Sequence, residues 1–390
     1  MNTSSSSTHQ HSLEVEIQPL NPHEEHHQAH KQQQIRVCAT EEVSLLIKIF
    51  ALVFLLVLAT SVLTSSAGEK LWTWSLTTHE EPVMTYQPPT ELMHNMSDGE
   101  LFRVALDVSR MNRLHYKMTP KIAFLFLTRG PLPLSPLWEK YFEGYDGLYS
   151  IYIHTHPAYR PQNSSSSVFY KRQIPSKVLS WGSMSMVDGE RRLLANALLD
   201  LSNERFILLS ESCIPLFNMS FTYHYLMNSR YNFVDDFDNP APDARGRYNP
   251  KLAPEINVTE WRKGAQWFEM SRRVAVIVVN ETKYYAKFSQ LQHEMILQDE
   301  HYIPTVLYLV APRLIAYRTL TWARWIGGSH PVTFGKDDVS DTLLREINEE
   351  TNCTYNDRPS TTCYLFARKF APSALEALLK LAPTSFGFGL

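Results

Sequence analysis

An acidic cluster stands directly before an apolar run in the C-terminal half of the chain. Asp299, Glu300 and His301 lie in LQDEHYIPTVLYLV, residues 297–310, whose apolar part predicts a helix. Acids favour a helix N-terminus by about 0.3–1 kcal/mol, because its unpaired N–H groups attract them, so one interpretation is helix capping. The other interpretation is a catalytic carboxylate held at the mouth of a pocket. These residues alone leave both interpretations open.

Two more charged pairs have spacings that suit chemistry. Asp236 and Asp238 are separated by one residue, a spacing at which carboxylate oxygens can hold a divalent cation such as Mn²⁺. Arg368 and Lys369 stand side by side in FARKF, where they can neutralise an anionic group or simply form an exposed basic pair before a C-terminal helix. The two pairs are a candidate metal site and a candidate anion site.

A sheet covered on both faces is the element predicted to position these groups. Continuous apolar runs at residues 121–130 (KIAFLFLTRG), 147–157 (GLYSIYIHTHP) and 204–215 (ERFILLSESCIP) predict three strands buried on both faces. Between the second and third, VDGERRLLANALLDLS has helical spacing, with Asp188 as the predicted N-cap. Strands alternating with helices predict an α/β fold with a mostly parallel sheet.

Polar residues follow each of the three predicted strands. They are Thr128–Arg129, His154–His156 and Ser210–Ser212. Ligands of parallel sheets bind outside the carboxyl ends of the strands, so we expect these residues to converge on one rim. After this half the chain becomes rich in loops, and long loops in a compact domain are usually functional. Within that part, GAQWFEM predicts a buried strand in which Glu269 is structural.

Composition and the N-terminal region bound the class of protein. With 37 basic and 40 acidic residues the net charge is −3, which argues against a nucleic-acid partner. Residues 1–42 are polar and are predicted to be a disordered cytosolic tail. Val43–Leu63 is long and apolar enough to predict a transmembrane signal anchor. Basic residues precede this span and only Lys70 follows closely, which favours a luminal location for the rest of the chain. The luminal part is predicted to consist of a stem at 64–118 and a domain at 119–390.

Glycosylation motifs and cysteines agree with a luminal location. Asn-X-Ser/Thr occurs beyond the predicted span at Asn95, Asn163, Asn218, Asn257, Asn280 and Asn352. Cys353 and Cys363 flank the turn-like YNDRPS, and an oxidising compartment would let them form a disulfide. Cys213 follows a predicted strand and is expected to be a small core residue. These features predict a single-pass type II membrane protein.

An ordered set of motifs makes a family resemblance specific. The chain contains LLSESCIPL, FVDDFDNP, RGRYNP, WRKGAQWFEMSRR, DEHYIPT, LTWARW and CYLFARKF between about residues 121 and 383. In this order they resemble the plant branch of the core-2/I-branching β-1,6-N-acetylglucosaminyltransferases. The resemblance implies a GT-A-like, Rossmann-type domain in the Golgi membrane, a nucleotide-sugar donor, a glycan acceptor, inversion at the anomeric carbon and no required metal cofactor. Transfer of N-acetylglucosamine from UDP-N-acetylglucosamine is the implied reaction.

The resemblance also implies roles for particular residues. Glu300 matches the family's catalytic glutamate, although Gln298 replaces the proline of the family's Pro-Asp-Glu motif; Asp299 then caps the helix. Lys369 matches the lysine that binds the donor diphosphate, and Arg368 is a candidate helper. Two strand-end residues, Thr128 and Glu211, are assigned to the donor side. Residues assigned to the acceptor side are Trp325, which matches a sugar-stacking tryptophan, with Asp236, Asp238 and Arg247.

Other functions remain open from the sequence. Mn²⁺ would be required only if Asp236 and Asp238 act as a metal-binding DxD motif. A luminal carbohydrate-binding or scaffold protein on the same fold, without activity, is one alternative, because no acid follows His154 in the second strand. A membrane-anchored glycosidase is another, and it would need two facing carboxylates.

Overall fold

A computed structural model describes residues 48–56, 84–85, 89–111, 116–161, 164–328, 330–349 and 352–389. The chain divides into two compact units, Met1–Glu80 and Glu81–Leu390. In the first unit residues 48–56, within the predicted anchor, are helical (α1). The rest of the anchor, the predicted tail 1–42 and much of the predicted stem lie outside the described residues. Among the residues described, no helix has the length and apolarity required to cross a membrane.

The centre of the second unit is a four-stranded sheet in the order β4-β3-β5-β7. Its strands are β3 (Lys121–Leu127), β4 (Tyr149–His154), β5 (Asn203–Ser210) and β7 (Glu269–Ser271). The first three are parallel, and β7 runs antiparallel to β5. In the register, Leu127 lies opposite both His154 and Ser210, so the carboxyl ends form one edge. The predicted α/β class, its mostly parallel sheet and the common rim are confirmed.

Helices cover both faces of this sheet because successive side chains of β3 point to opposite faces. Ala123, Leu125 and Leu127 pack in one core with residues of α2, α4, α6, α7 and α8. Ile122, Phe124 and Phe126 pack in a second core against α3, α5 and the C-terminal segments. The helices are α2 (Asp98–Arg110), α3 (Ser135–Phe142), α4 (Met184–Leu198), α5 (Met219–Met227), α6 (Arg272–Asn280), α7 (Lys283–Gln290), α8 (Tyr302–Val310), α9 (Asp341–Glu349) and α10 (Leu375–Leu381).

Three smaller pairings complete the described strands. A sheet of β6 (Ile214–Pro215), β11 (Phe366–Arg368) and β8 (Thr321–Ala323) places β11 parallel to β8, and the Phe370 amide donates to the Ser212 carbonyl beside the main sheet. The hairpin β9 (Cys353–Tyr355) and β10 (Arg358–Ser360) is followed by Cys363, which forms a disulfide with Cys353. β1 (Met84–Thr85) pairs with β2 (Tyr116–Lys117).

Helix α4 begins earlier than the sequence indicates. Its N-cap is Ser183, whose side chain accepts a hydrogen bond from the Ser185 amide. The predicted cap, Asp188, lies one turn inside the helix and accepts a hydrogen bond from the Tyr285 hydroxyl at 2.6 Å. The prediction was wrong because Met184 and Val187 are buried and extend the apolar face of the helix before Asp188.

The predicted strand GAQWFEM is only partly a strand, because β7 is limited to Glu269–Ser271. Glu269 is structural, as expected: its two oxygens accept hydrogen bonds from Arg205 at 2.6 Å each, and both side chains are buried. This bidentate pair satisfies a carboxylate in the core.

Helix α2, from the region predicted to be stem, packs on the sheet-bearing unit. Leu101 and Ala105 are buried in its first core. Asp98, in the first turn, accepts hydrogen bonds from Arg192 of α4 at 3.0 and 2.8 Å, and Lys177 contacts the same carboxylate at 2.6 Å. Helix α2 therefore belongs structurally to the unit Glu81–Leu390.

Candidate active site

Glu300 ends a short 3₁₀ turn, Gln298–Glu300, that precedes α8. Leu297 enters this turn with φ 52°, and the Gln298 amide donates to the Gly182 carbonyl at 3.0 Å. The N-cap position of α8 is His301, and it has no side-chain hydrogen bond to the helix in the described chain. The capping role expected for Asp299 is therefore wrong, since the 3₁₀ turn separates its carboxylate from the first turn of α8.

The backbone of Glu300 is fixed by a glycine on a neighbouring segment. The Gly264 amide donates to the Glu300 carbonyl at 2.8 Å. A Cβ atom at position 264 would lie 1.9 Å from the Asp235 carbonyl oxygen, so only glycine fits between these two segments. The main chain of Glu300 is thus held at a site that tolerates no side chain.

Two cations lie against the Glu300 carboxylate. Arg247 Nη1 donates to Oε2 at 2.8 Å, and Lys263 Nζ lies 3.8 Å from the same oxygen. Lys263 also contacts Asp243 at 2.5 Å. Oε1 of Glu300 has no hydrogen-bond partner among the described residues, and the side chain is 25% exposed. The carboxylate is therefore oriented through one oxygen and open at the other.

Each carboxylate of the predicted acid pair, Asp236 and Asp238, has an arginine partner. Asp236 Oδ1 is 3.3 Å from Arg262 Nε, and Asp238 accepts two hydrogen bonds of 2.6 Å from Arg245. Burial raises the pKa of Asp236 to about 7, with Arg262 opposing and Asp235 adding to the shift. The Arg245 hydrogen bonds lower the pKa of Asp238.

The acid pair is attached to the segment that carries Lys263. Phe237 and Lys263 form a two-way backbone bridge, at 2.8 and 3.0 Å. Two backbone hydrogen bonds therefore join the loop of Asp236 and Asp238 to the segment of Lys263. Within the residues that the structure describes, no group of three His, Cys, Asp or Glu side chains is arranged to hold a metal ion.

Three titratable groups with shifted pKa values are buried in and around the turn that carries Glu300. Asp299 is 4% exposed, and burial followed by the nearby Glu300 raises its pKa to about 7. Glu190 of α4 is fully buried, its pKa is raised by burial and by Asp299, and Gln266 donates to it at 2.7 Å. His301 stacks on Trp261 at 4.4 Å, and burial lowers its pKa to about 3.

The predicted donor residues lie at the carboxyl edge of the sheet. Burial, followed by Arg368 and Arg129, lowers the pKa of Lys369, while Glu211 acts in the opposite direction, which places these groups together. The guanidinium of Arg368 lies 4.1 Å from the centre of the Trp267 ring, and its Nε is buried without a hydrogen-bond partner in the described parts of the chain. Arg129, one of the strand-end residues expected at this rim, is exposed.

A small cavity opens beside this basic cluster, at the ends of β3 and β4. Its volume is only about 20 Å³, and Gly130, Ser135, Thr155, Tyr159 and Phe169 are among the residues that line it. Thr155 Oγ1 is buried and lacks a hydrogen-bond partner in the described structure. Thr128, predicted to bind donor, is buried instead, and its hydroxyl donates to the Gly130 carbonyl at 3.1 Å. It therefore shapes the cavity entrance through the backbone.

One short segment connects the acid and the basic ends of the site. Lys263 lies beside Glu300, and Trp267 lies under Arg368. Four residue steps separate them, so their Cα atoms are at most about 14 Å apart. The segment 263–267 thus contacts Glu300 at one end and Arg368, the neighbour of Lys369, at the other.

Exposed aromatic side chains border the site on two sides. Trp325, the predicted sugar-stacking residue, is 58% exposed and follows β8, whose last residue is paired with Arg368. Trp181 is equally exposed and lies 5.5 Å from the His330 ring. It precedes Gly182, the hydrogen-bond partner of the 3₁₀ turn of Glu300. Trp261, Trp267 and Trp322 are core residues.

Sequence reasoning missed several residues at this site. The predicted residues are contacted or bordered by four such residues, Lys263, Arg262, Arg245 and Trp181. Arg262 and Lys263 belong to the motif WRKGAQWFEMSRR, so basic residues adjacent to Gly264 were the available signal. Trp181 lies in no motif, and only its exposure reveals it.

Most of the predicted glycosylation sites lie at the surface. Asn95, Asn257, Asn280 and Asn352 are exposed, and Asn163 lies outside the described residues. Asn218 is half-buried, and its side chain caps α5 by accepting from the Phe221 amide at 2.8 Å. Cys213 is buried, as expected.

Comparison with known proteins agrees with this geometry. Residues 122–348 match the family model described as Branch: Core-2/I-Branching enzyme. Glycosyltransferase BC10 of Oryza sativa subsp. japonica is 34% identical over 309 residues, which cover 67% of this chain and 76% of that protein. The matched region contains Glu300 and its partners Arg247 and Lys263.

Proposed function

The chain belongs to the Core-2/I-Branching enzyme family of glycosyltransferases, and from this premise we propose an inverting transfer of N-acetylglucosamine from UDP-N-acetylglucosamine to a glycan hydroxyl, with Glu300 as general base. The observation that carries the proposal is the environment of the Glu300 carboxylate. Arg247 orients it through Oε2, and Oε1 has no hydrogen-bond partner among the described residues. Lys263 contacts the same carboxylate, and its segment also contacts Arg368, next to Lys369.

In the proposed step, Glu300 Oε1 accepts the proton of the acceptor hydroxyl as its oxygen attacks the anomeric carbon. The bond from that carbon to the diphosphate oxygen breaks on the opposite face, and its electron pair leaves with UDP. General-base catalysis of this kind contributes about 10²–10⁴-fold. Because one displacement occurs, the configuration at the anomeric carbon inverts.

The departing diphosphate needs positive charge, and we assign this role to Lys369 with Arg129. Burial and the neighbouring arginines lower the pKa of Lys369, and a bound diphosphate would favour its charged form. Arg368 supports the cluster from below, because its guanidinium is packed on Trp267. In this arrangement the nucleoside lies outside the carboxyl ends of the parallel strands, where ligands of such sheets bind.

The contacts of Asp236 and Asp238 favour binding of the acceptor sugar over binding of a metal ion. Asp236 and Asp238 each have an arginine partner, Arg262 and Arg245, which compensates the charge that a cation would otherwise compensate. We therefore propose that this pair and Trp325 contact the acceptor sugar. The competing role, binding Mn²⁺ for the donor, predicts that EDTA abolishes activity.

A location in the Golgi membrane, with residues 43–63 as anchor and the catalytic unit in the lumen, is part of the proposal. It rests on the apolar run and the sequons of the sequence. Protease added to intact microsomes should remove only about the first 40 residues, a boundary set by the predicted span. Protection of an N-terminal tag would contradict this orientation.

Nucleotide binding by the purified full-length protein tests the function first. We expect calorimetry to detect UDP and UDP-N-acetylglucosamine but not ADP, and we expect UDP release to increase when a glycan acceptor is added. Lys369→Ala should abolish UDP binding. Lys336→Ala is the matched control, because Lys336 is exposed and pairs only with Glu376 at 3.4 Å among the described residues.

Two results would redirect the assignment. Glycan binding without UDP binding would favour the carbohydrate-binding or scaffold alternative. Glycan hydrolysis without a nucleotide requirement would favour a glycosidase, with Asp236 or Asp238 as the second carboxylate.

A further inference from the structure

A second cavity lies away from Glu300, between the disulfide-linked hairpin and the segment that follows α8. Its volume is about 530 Å³, within the ~300–1,000 Å³ usual for ligand pockets. We call it the outer groove, and the lining residues used below are Tyr231, Phe233, Arg313, Tyr317, Asn356 and Asp357.

The walls of the outer groove are held in place by their own contacts. The Tyr231 hydroxyl donates to Asp357 at 2.8 Å, and the Arg230 amide donates to the Asn356 side chain at 2.9 Å. Asn356 and Asp357 form the turn of the hairpin β9–β10, which the Cys353–Cys363 disulfide joins to the chain beyond it. The groove is therefore largely formed before any ligand arrives.

The groups that face the outer groove suit a sugar. Tyr317 is 48% exposed, and its hydroxyl is occupied by a hydrogen bond to the Pro312 carbonyl, so the ring face is what it offers. Arg313 is exposed, and its guanidinium has no hydrogen-bond or ion-pair partner in the described ranges. Ring faces stack on the apolar C–H faces of sugars, and guanidinium N–H groups donate to hydroxyl and carboxylate oxygens.

The outer groove continues toward the acceptor side of the proposed active site. Phe233 lies in its floor, and Asp236 is three residues further along the chain, so their Cα atoms are at most about 11 Å apart. Tyr317 borders both regions, because burial and then the Asp236 carboxylate raise its pKa. A ligand in the groove would therefore approach Asp236.

We propose that the outer groove binds a distal part of the acceptor glycan, whose reacting residue lies at Glu300. This inference rests on the proposed function and adds an extended acceptor, several sugars long, as the substrate class. The groove would favour long glycans over short ones by tightening acceptor binding.

A peptide fits the groove less well. Peptides often bind by adding a strand to an unpaired sheet edge. Here the backbone of the walls is already paired: the Ala316 amide donates to Asn232 at 2.8 Å, and the Asn232 amide donates to Leu314 at 2.9 Å. Ring faces and side-chain ends are left for the ligand, and these suit a sugar chain.

The test compares short and long probes on the full-length protein. Calorimetry measures the affinity of chitobiose and chitohexaose, xylobiose and xylohexaose, and cellobiose and cellohexaose. We expect at least one hexasaccharide to bind more tightly than its disaccharide by about 10-fold. Tyr317→Asn, which removes the ring but tolerates the left-handed backbone at φ 54°, should weaken that hexasaccharide by about 3- to 10-fold. Arg313→Ala should act in the same direction.

Controls separate this inference from the proposed function. UDP affinity and disaccharide affinity should be unchanged in both variants, which also shows that they fold. The inference is overturned if no hexasaccharide gains affinity, if the gain survives both substitutions, or if a glycopeptide gains affinity with peptide length instead. If the wild-type protein does not bind UDP but still binds a hexasaccharide more tightly than its disaccharide, the proposed transferase function is rejected and the proposed glycan-binding role of the outer groove stands.

Discussion

Asp299 gives a quantitative test of how the site is built. Asp299 directly precedes Glu300 and is 4% exposed. One oxygen of its carboxyl, Oδ1, has no hydrogen-bond partner in the described structure. Burial and then Glu300 disfavour its charge, while Arg247 favours it. Asp299→Asn keeps the shape of the side chain and removes the charge. We expect this variant to be more stable than the wild type, by an amount that grows with pH.

The magnitude follows from the pKa of Asp299, 3.8 when unperturbed and about 7 in the fold. Between these values the folded protein holds a proton that the unfolded chain has released, so stability falls as pH rises. The cost of this carboxyl is about 2 kcal/mol at pH 5 and about 4 kcal/mol at pH 8. The advantage of Asp299→Asn should therefore grow by about 2–3 kcal/mol across this range.

Urea unfolding of the wild type and the variant at pH 5 and pH 8 measures the difference directly. Glu143→Gln is the matched control, because Glu143 is exposed at the end of α3 and should give a difference independent of pH. An Asp299→Asn advantage that stays constant or shrinks between pH 5 and pH 8 would show that the carboxyl is already ionised in the fold at pH 5. The account of Asp299 as a buried carboxyl with a raised pKa would then be wrong.

Three further outcomes test other parts of the account. Glu300→Gln should lower transfer by about 10²–10⁴-fold with UDP affinity unchanged, because the base faces the acceptor; near wild-type transfer would remove the assignment. UDP binding and transfer should survive EDTA, because side chains neutralise the diphosphate; a loss that Mn²⁺ restores would contradict this. Cys353→Ser with Cys363→Ser should lower the free energy of unfolding by about 3 kcal/mol in urea titrations, as expected for a loop of this length; an unchanged midpoint would refute it.

The strands could be predicted because their burial is written in consecutive residues. Ile122 to Leu127 are all buried, so a continuous apolar run is the pattern that a strand covered on both faces requires. The antiparallel β7 was harder to predict, since it has three residues and one of them is a buried glutamate. Its place in the sheet depends on Arg205, which is 64 residues away, and local sequence does not encode such a pair.

In the site, too, some residues could be predicted from the sequence and their contacts could not. Glu300 and Lys369 follow from motifs, and the structure shows which side chains surround them. The contact between Arg247 and Glu300 joins residues 53 apart, and no spacing rule predicts it. The failure of Asp299 as a cap has a local cause, because the positive φ of Leu297 begins a separate turn. Long loops carry most of this site, so pairings between them had to be seen.

The docking of α2 determines where the catalytic unit can be separated from what precedes it. A chain that begins at residue 119 would lack Leu101 and Ala105, which are part of the core. Arg192, with its side chain 4% exposed, would lose the carboxylate of Asp98, at a cost on the order of 3 kcal/mol. The smallest autonomous module therefore begins upstream of Ser97, which caps α2. Proteolytic release or recombinant secretion in active form requires cleavage on the N-terminal side of that serine.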